Sequence, residues 1–379
     1  MNKIKIIILL IITTITLTGC SYTELNKLAI VSALGIDYKN GQYEITAQVM
    51  DIKKQDTGTK EKSIIYETKG ETIGKAIRNL SEKYPKTVYL GHVEIIILGK
   101  ETAEEKINDI FDYVMRSPEV RSTGYVLINR EQSAKLTLEP ENEKEESFAT
   151  EQIKSSLEST TKRSGTVYLI TFEEFLQTYL KKGVDPVVPL IKIDKKNGNE
   201  TSDTVITNLA VIKDGKIKKS LNEQQSIAYN TINNNYYDIV ITPKYKGKIF
   251  GAVIFNPNSK IETEIKNNNI NVIIDIKVEA KLNELNKDIN PNNDKTNKEL
   301  ESLIETELKE YVISLINYSK ETNTDVLGIK NNIYKNYPKD YKKYKHSNLY
   351  NISNIKINID ANIYRSGNTN KGAIRWIIK

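Results

Sequence analysis

The sequence predicts an α+β protein of more than one domain, built from mixed and antiparallel sheets with packed helices. Two observations predict it. Amphipathic helices alternate with strands through the first half, and strands follow one another with little helix between them through much of the second. A third observation says what must hold the fold together. The 379 residues include one cysteine, so an intramolecular disulfide framework or a cysteine-rich zinc site is excluded and stability must come from packing. Apolar content is 39%, with 22 tyrosines, which suits a folded chain of two or three domains rather than a disordered one.

Lys27 to Asp37 reads as a mostly apolar strand, with Gly35 permitting a turn or close packing. Gln42 to Asp51 alternates Tyr43, Ile45, Ala47 and Val49 with polar residues, so the two pair as adjacent strands; Ser63 to Thr68 adds a third. Glu71 to Tyr84 sets Ile73, Ala76, Ile77, Leu80 and Tyr84 on one helical face before Pro85 stops it. Val88 to Leu98 is strongly β-forming. Thr102, with Glu105 three residues on, predicts a capping box for a helix whose stripe is Ala103, Ile107, Ile110 and Val114 and which Pro118 ends. Gly124 to Asn129 is another strand. Past an acidic junction at Glu139 to Glu146 come a helical stretch at Glu151 to Ser159 and a short strand or turn at Thr166 to Ile170. A helix at Thr171 to Lys182 and a strand at Val187 to Ile193 follow.

Asp194 to Asp203 is polar, contains Gly and Asn, and is the predicted linker. It divides an N-terminal α+β domain over residues 20–200 from a C-terminal α+β region over residues 204–379, with room for two domains in the latter. That region opens with a hairpin around Asp214-Gly215 and a short helix at Leu221 to Asn230. Tyr237 to Pro243, Lys248 to Phe255, Lys260 to Lys266 and Asn271 to Leu282 then suggest an antiparallel sheet. Glu299 to Ser319 is the longest helix. A tyrosine-rich loop over Asn331 to Asn348 precedes two last strands, Leu349 to Asn362 and Gly372 to Ile378.

The amino terminus has its own logic. Lys3 and Lys5 precede an uncharged, mostly apolar run from Ile6 to Thr18, shorter than a membrane-spanning helix and fitting the core of a secretory signal. Leu17-Thr18-Gly19-Cys20 follows, and resembles the lipobox of bacterial lipoproteins. The resemblance implies a signal peptide over residues 1–19, cleaved before Cys20, and lipid on the Cys20 thiol that ties the chain outside the membrane. The chain's only cysteine sits at the modification position.

Chemistry is otherwise sparse. His92 and His346 are the only histidines, isolated from any Cys or second His at ligand spacing, so no metal site or cofactor is expected. No phosphate-binding loop, dinucleotide fingerprint, HExxH or GxSxG occurs, and no enzyme activity is expected. The formal net charge of +6 reads as mild and spread out, not the concentrated stripe of a nucleic-acid binder. Two charged clusters stand out. Arg116, Glu119 and Arg121 flank Pro118, where two guanidiniums around a carboxylate can staple a turn or meet a partner. Lys335, Lys339, Lys342, Lys343 and Lys345 interleave with Tyr334, Tyr337, Tyr341 and Tyr344, a pattern open to anionic headgroups, another subunit or plain exposure.

Glu24 to Asp37, with its Leu28-Ala29-Ile30-Val31 run and Gly35-Ile36-Asp37, resembles the opening of the Ger(x)C family, the lipoprotein C subunits of spore nutrient germinant receptors. Ser21-Tyr22 stands where that family commonly has Trp-Asp. Gly70 to Leu80 is similar to its amphipathic helix, and Gly91-His92 through Gly99-Lys100 to its Gly-His strand and turn, with Lys100 in place of the usual acid. Asp112 to Arg121 resembles its Arg-x-Pro-Glu-x-Arg signature, Thr324 to Ile329 its Asp-x-x-Gly segment, and Ile359 to Gly367 its terminal strand.

The resemblance implies a non-catalytic α+β subunit of three domains on the outer face of the spore inner membrane. It would work beside integral-membrane receptor subunits in triggering germination, without itself binding the small-molecule germinant. A solute-binding lipoprotein is the competing reading; it would need repeated βα alternation in both halves, and the second half lacks it. A generic envelope scaffold is the other.

Overall fold

The computed structural model describes residues 4, 24, 27–55, 58–117, 119–139, 149–195, 202–235, 238–285, 289–290 and 293–365. The signal segment, Cys20, Pro118, the acidic junction past Glu139, the middle of the 194–203 linker and the strand expected at Gly372 to Ile378 lie outside them.

A nine-stranded mixed sheet dominates the first half. Strands β1 (Leu28–Lys39), β2 (Gln42–Gln55) and β3 (Gly58–Gly70) form an antiparallel meander. Helix α1 (Ile73–Lys83) then crosses to β4 (Thr87–Tyr89) and β5 (Ile95–Leu98), which both run parallel to β1. Helices α2 (Lys100–Glu105) and α3 (Ile107–Arg116) lead to β6 (Tyr125–Asn129), parallel to β5. Helices α4 (Ala134–Leu138), α5 (Ala149–Arg163) and α6 (Phe172–Leu180) precede β7 (Val187–Lys195), parallel to β6. The hairpin of β8 (Ser202–Lys213) and β9 (Lys216–Ser220) closes the sheet antiparallel, so the sheet runs across the predicted linker.

Parallel strands covered on both faces should read as unbroken apolar runs. Ile95 to Leu98 is such a run, and all four residues are buried. Ile96 and Leu98 join Ile73, Leu80, Ile110, Phe172 and Phe175 on the face under α1, α3 and α6. Ile95 and Ile97 join Ala134, Leu138, Ile153 and Leu157 on the face under α4 and α5.

The second half packs helix α7 (Glu223–Ile232) and the long α8 (Asp294–Thr322) against a four-stranded sheet. That sheet takes β10 (Asp238–Ile241), β13 (Gly251–Lys266), β14 (Asn269–Glu284) and β15 (Ser353–Arg365), while β11 (Lys244–Tyr245) and β12 (Lys248–Ile249) make a small separate ribbon. Val272, Ile274, Ile276, Val278 and Ala280 alternate inward along β14 toward Leu300, Ile304, Leu308 and Leu315 of α8; the opposite face carries Asp275, Lys277 and Glu279. On the edge strand β15, the Ala361 and Ile363 N–H groups donate to Glu305 and Glu301 of α8, at 3.2 and 2.9 Å. Carboxylates thus cover part of an edge that would otherwise invite another strand.

Helix α7 joins the halves. Ser226 through Ile232 are all buried, and its Asn230 Nδ2 donates to the carbonyls of Gly165 and Val167. Three short helices lie between α8 and β15: α9 (Ile329–Asn336), α10 (Pro338–Tyr344) and α11 (Leu349–Ile352).

Several local expectations are corrected. The strand expected over Val88 to Leu98 is two strands, because the chain turns at Leu90 to Val93 with the Tyr89 ring lying over Gly91. The Thr102 capping box does not form. Helix α2 starts at Gly99, which leaves Thr102 inside it with a buried, unpartnered hydroxyl, and α3 begins anew after Lys106. A capping box forms instead at Thr171 and Glu174 on α6.

Lys248 to Phe255 and Lys260 to Lys266 are not two strands. Gly251 to Lys266 is one, β13, carrying a bulge after Phe255 where Asn256 has φ +50. The final described strand pairs parallel to β14, so that sheet is mixed. The loop expected at Asn331 to Asn348 holds α9 and α10, whose Ile333 and Tyr344 are buried in the core. Leu349 to Ile352 is a helix, and β15 starts only at Ser353.

Candidate functional site

The residues singled out from sequence fall into three groups. Cys20 lies outside the described residues. Arg116 ends α3 and pairs with Asp112 one turn earlier, at 2.8 Å. Arg121 donates through Nε to the Thr123 hydroxyl, and Glu119 is exposed. No ion pair joins Glu119 to either arginine among the described residues, so the three form no mutual staple. His92 is half-exposed, with Nε2 3.4 Å from Glu94, whose other oxygen holds Lys154 at 2.6 Å. These three line a polar surface hollow with Ser32 and Thr150. Beneath it, Gln48 Oε1 accepts from the Thr150 N–H and hydroxyl, fixing the start of α5 to the sheet.

The motif carboxylates work as buried helix caps. Asp37, at the end of the Gly35-Ile36-Asp37 run, accepts the Ala134 and Lys135 N–H groups through separate oxygens, at 2.8 and 3.0 Å. Those are donors that α4 leaves unmatched at its first turn. The surrounding glycines make room: a Cβ on Gly99 would lie 1.8 Å from Asp37 Oδ1, and one on Gly35 3.1 Å from the Ala134 Cβ. Burial pushes the Asp37 carboxyl up from 3.8, partly opposed by the two backbone donors.

Asp325, in the Asp325-Val326-Leu327-Gly328 segment, repeats the device at α9. Its Oδ1 accepts from Ile329 N–H at 3.0 Å and the Tyr350 hydroxyl at 2.8 Å, and its Oδ2 accepts from Lys330 N–H at 2.7 Å. Gly328 takes φ +68 to let the chain double back onto the cap. Here the cap also welds the two halves. Asp185 N–H donates to the Asp325 carbonyl, and Asp325 N–H returns to Asp185 Oδ2 at 2.6 Å. Asn331 donates twice to the 182–183 backbone, and the Lys213 ammonium reaches the Asn323 carbonyl. Gly183 has φ +76 and no room for a side chain: a Cβ there would sit 2.5 Å from that of Lys330. Desolvation raises both the Asp185 and Asp325 carboxyls, and their hydrogen bonds partly oppose it.

Beside this weld opens a cleft of about 480 Å³, lined by Lys181, Asp185, Lys213, Lys330, Lys345 and His346 among others. The Asp325 oxygens in its wall are already spent on backbone and tyrosine donors. Among the described residues, no three His, Cys, Asp or Glu side chains are grouped to hold a metal ion. Asp37 and Asp325 were missed as individual residues by sequence reasoning. Their only signal was a nearby glycine; the Asp37 cap partner lies 97 residues away, and the Asp325 main chain meets Asp185 140 residues away.

Residues 21–193 match the spore germination protein N-terminal domain, and residues 207–367 match the spore germination B3/GerAC-like C-terminal domain. The chain belongs to the GerAC-like family of spore germination proteins. Spore germination protein KC of Bacillus subtilis (strain 168) is 23% identical over 372 residues, 91% of this chain and 90% of its own length. Spore germination protein GerQC of Bacillus cereus is 23% identical over 367 residues, covering 96% and 99%. The crystal structure of the GerBC protein superposes with a TM-score of 0.55 at 18% identity, over 90% of this chain and 100% of that one, a likeness of fold. No described helix is long and apolar enough to cross a membrane.

Proposed function

We propose that this chain is a non-catalytic lipoprotein subunit of a spore nutrient germinant receptor, with a structural or signal-relaying role in triggering germination. On this reading a signal peptide over residues 1–19 is removed and lipid on Cys20 holds the chain on the outer face of the cytoplasmic membrane, the spore inner membrane. Integral-membrane receptor subunits are its partners. It takes no cofactor, does not bind nucleic acid, and leaves the germinant to those partners. The division proposed is an N-terminal α+β domain over residues 20–200 and a C-terminal region over residues 204–379, with the β8–β9 hairpin of the latter completing the N-terminal sheet.

The observation that carries this reading is the pair of germination-family domains matched in order across nearly the whole chain. The Leu17-Thr18-Gly19-Cys20 motif supports the anchor. The use of Asp37 and Asp325 as structural caps supports a scaffold over an enzyme.

Replacing Cys20 with Ala tests it. Membrane retention is expected to weaken and to become salt-sensitive, because the acyl chains that supply most of the hold on the bilayer are gone. Nutrient-triggered germination is expected to fall with it. Retention and germination both unchanged would overturn the reading.

A further inference from the structure

We infer that the end of the molecule carrying the basic α9–α10 pair lies flat against an anionic phospholipid surface. Ile36, Leu98, Ile128 and Leu190 sit level across the parallel strands β1, β5, β6 and β7. Leu28 and Val187, where β1 and β7 begin, are therefore at the same end of the sheet. Val187 is level with Ala33, so Leu28 extends about 16 Å further out, and the two strands are about 14 Å apart laterally. The β8–β9 turn at Asp214-Gly215 is also at this end, since Val211 pairs with Val187.

Helices α9 and α10 dock at this end. Asn331 of α9 bonds to the carbonyls of Lys182 and Gly183, in the loop just before β7. The Lys182 ammonium lies 5.0 Å from the centre of the Tyr334 ring, and Tyr334 packs edge-on against Tyr341. Tyr341, Lys345 and His346 return to the same cleft as Lys181 and Asp185.

The charge of the chain is concentrated here. Residues 329–346 hold six lysines and a single carboxylate, Asp340, against a formal net charge of +6 for all 379 residues. Lys335, Lys339, Lys342, Lys343 and Lys345 are exposed, as are the neighbouring Lys181 and Lys182. Asp340 is half-buried, and Asp214 is the exposed carboxylate across the cleft. Tyrosines order the lysines: Tyr344 is buried, Tyr337 and Tyr341 are half-buried, and Tyr334 is exposed among the ammoniums, as an interfacial tyrosine would be. This corrects the sequence-level view of a charge excess that is spread out.

The chain enters the sheet at the same end. From Cys20 to Leu28 the tether spans at most about 24 Å, since the Lys27 N–H bonds back to the Glu24 carbonyl. That is enough for a lipid at Cys20 and the α9–α10 lysines to share one plane. A lysine near an anionic bilayer tightens binding by roughly five-fold, and the effect fades within a Debye length.

The inference uses the proposed anchor only to say which membrane is met, so its test leaves the lipid out. The chain beginning at Ser21, which keeps every strand and helix numbered above, is mixed with phosphatidylcholine vesicles with and without phosphatidylglycerol. Binding is expected only with phosphatidylglycerol and should weaken as salt rises. Changing Lys335→Gln, Lys339→Gln, Lys342→Gln and Lys343→Gln together should weaken it by about 100-fold or more. A control with Lys260→Gln, Lys277→Gln, Lys281→Gln and Lys356→Gln, all exposed on the outer face of the C-terminal sheet, should leave it unchanged.

Both variants should melt like the parent, since every changed side chain is exposed. No phosphatidylglycerol-dependent binding, or equal loss in both variants, would overturn the inference. So would a photo-crosslinker at Lys339 in the anchored protein that captures a membrane protein and no lipid. Weaker membrane retention in Cys20→Ala bears on the anchor alone, and vesicle binding bears on the basic face alone.

Discussion

Two buried aspartates do the same local job in different halves of this molecule, and the difference between them separates a brace from a weld. Asp37 reaches from the end of β1 to the first turn of α4 and spends both oxygens on backbone donors there. Everything it holds belongs to the N-terminal sheet and its covering helix. Asp325 caps α9 in the same way but also accepts from the Tyr350 hydroxyl, while its main-chain carbonyl accepts from the Asp185 N–H and its N–H donates to the Asp185 carboxylate, just ahead of β7. One cap fixes a helix to its own sheet. The other fixes the last helices to both halves at once.

Alanine at each position should break that symmetry, and it carries the largest expected effect. Asp325→Ala leaves two helix N–H groups and a buried tyrosine hydroxyl without their acceptor, a loss on the order of 3–5 kcal/mol in urea denaturation. Hydrogen exchange should rise at α9, and the 182–183 loop should follow because Asn331 of α9 donates to its carbonyls, while the Asp185–Asp325 bonds run through the Asp325 main chain and survive the substitution. Asp37→Ala strands only the α4 donors and should cost about 2–3 kcal/mol, with exchange rising at α4 alone. Equal losses with the same exchange pattern would dissolve the distinction.

Titration sharpens the comparison next. Burial raises the Asp325 and Asp37 carboxyls above 3.8, so the folded state holds these protons more tightly than the unfolded chain. The sign follows. Below 3.8 both states are protonated and burial of the group carries no penalty. As pH rises through the folded values, the folded protein must bury a charge that the unfolded chain exposes to water, and stability falls. Asp325→Asn removes that charge. Relative to this variant, the parent should therefore be most stable near the bottom of the window and lose ground as pH rises, levelling off once the carboxyl is ionised. Urea midpoints of both proteins across the acid range check this, and a parent that gains on the variant as pH rises would reverse the assignment.

The two halves also differ in how much of them the sequence discloses. The β2 alternation, the α1 stripe and the Ile95 to Leu98 run each announce an element because burial there follows a short period. The α8 helix is as plain. What stayed hidden depends on long-range partners. Thr102 and Glu105 fit a capping box locally, yet Gly99 starts the helix because its neighbour in space is Asp37, from β1. The α9–α10 pair reads as a loop because its lysines and asparagines mask the packing of Ile329, Ile333 and Tyr344 into the core beside β13. The Gly35-Ile36-Asp37 and Asp325-x-x-Gly328 patterns were visible as a family resemblance. The Asp37 cap was not, since no spacing in the sequence brings Asp37 to Ala134; at Asp325 the capped N–H groups are only four and five residues on, and it is the weld to Asp185 that no spacing reveals.

The smallest expected stability effect is the most useful for function. Arg116 pairs with Asp112 across one helical turn, and both side chains are more than half exposed. Such a pair contributes about 0.3–0.5 kcal/mol, so Arg116→Ala should leave the melt almost where it was. Arg121 holds only the neighbouring Thr123 hydroxyl, and Glu119 faces solvent. Neither guanidinium is needed for the turn in the way the caps are needed for theirs, and this makes the trio a clean probe of partner contact. The triple change Arg116→Ala, Glu119→Ala and Arg121→Ala should lower stability by less than about 1 kcal/mol. If germination falls while the purified protein melts normally and stays at the membrane, these side chains touch a receptor partner. If germination is unchanged, the docking surface lies elsewhere and Arg116, Glu119 and Arg121 are surface groups beside a helix end.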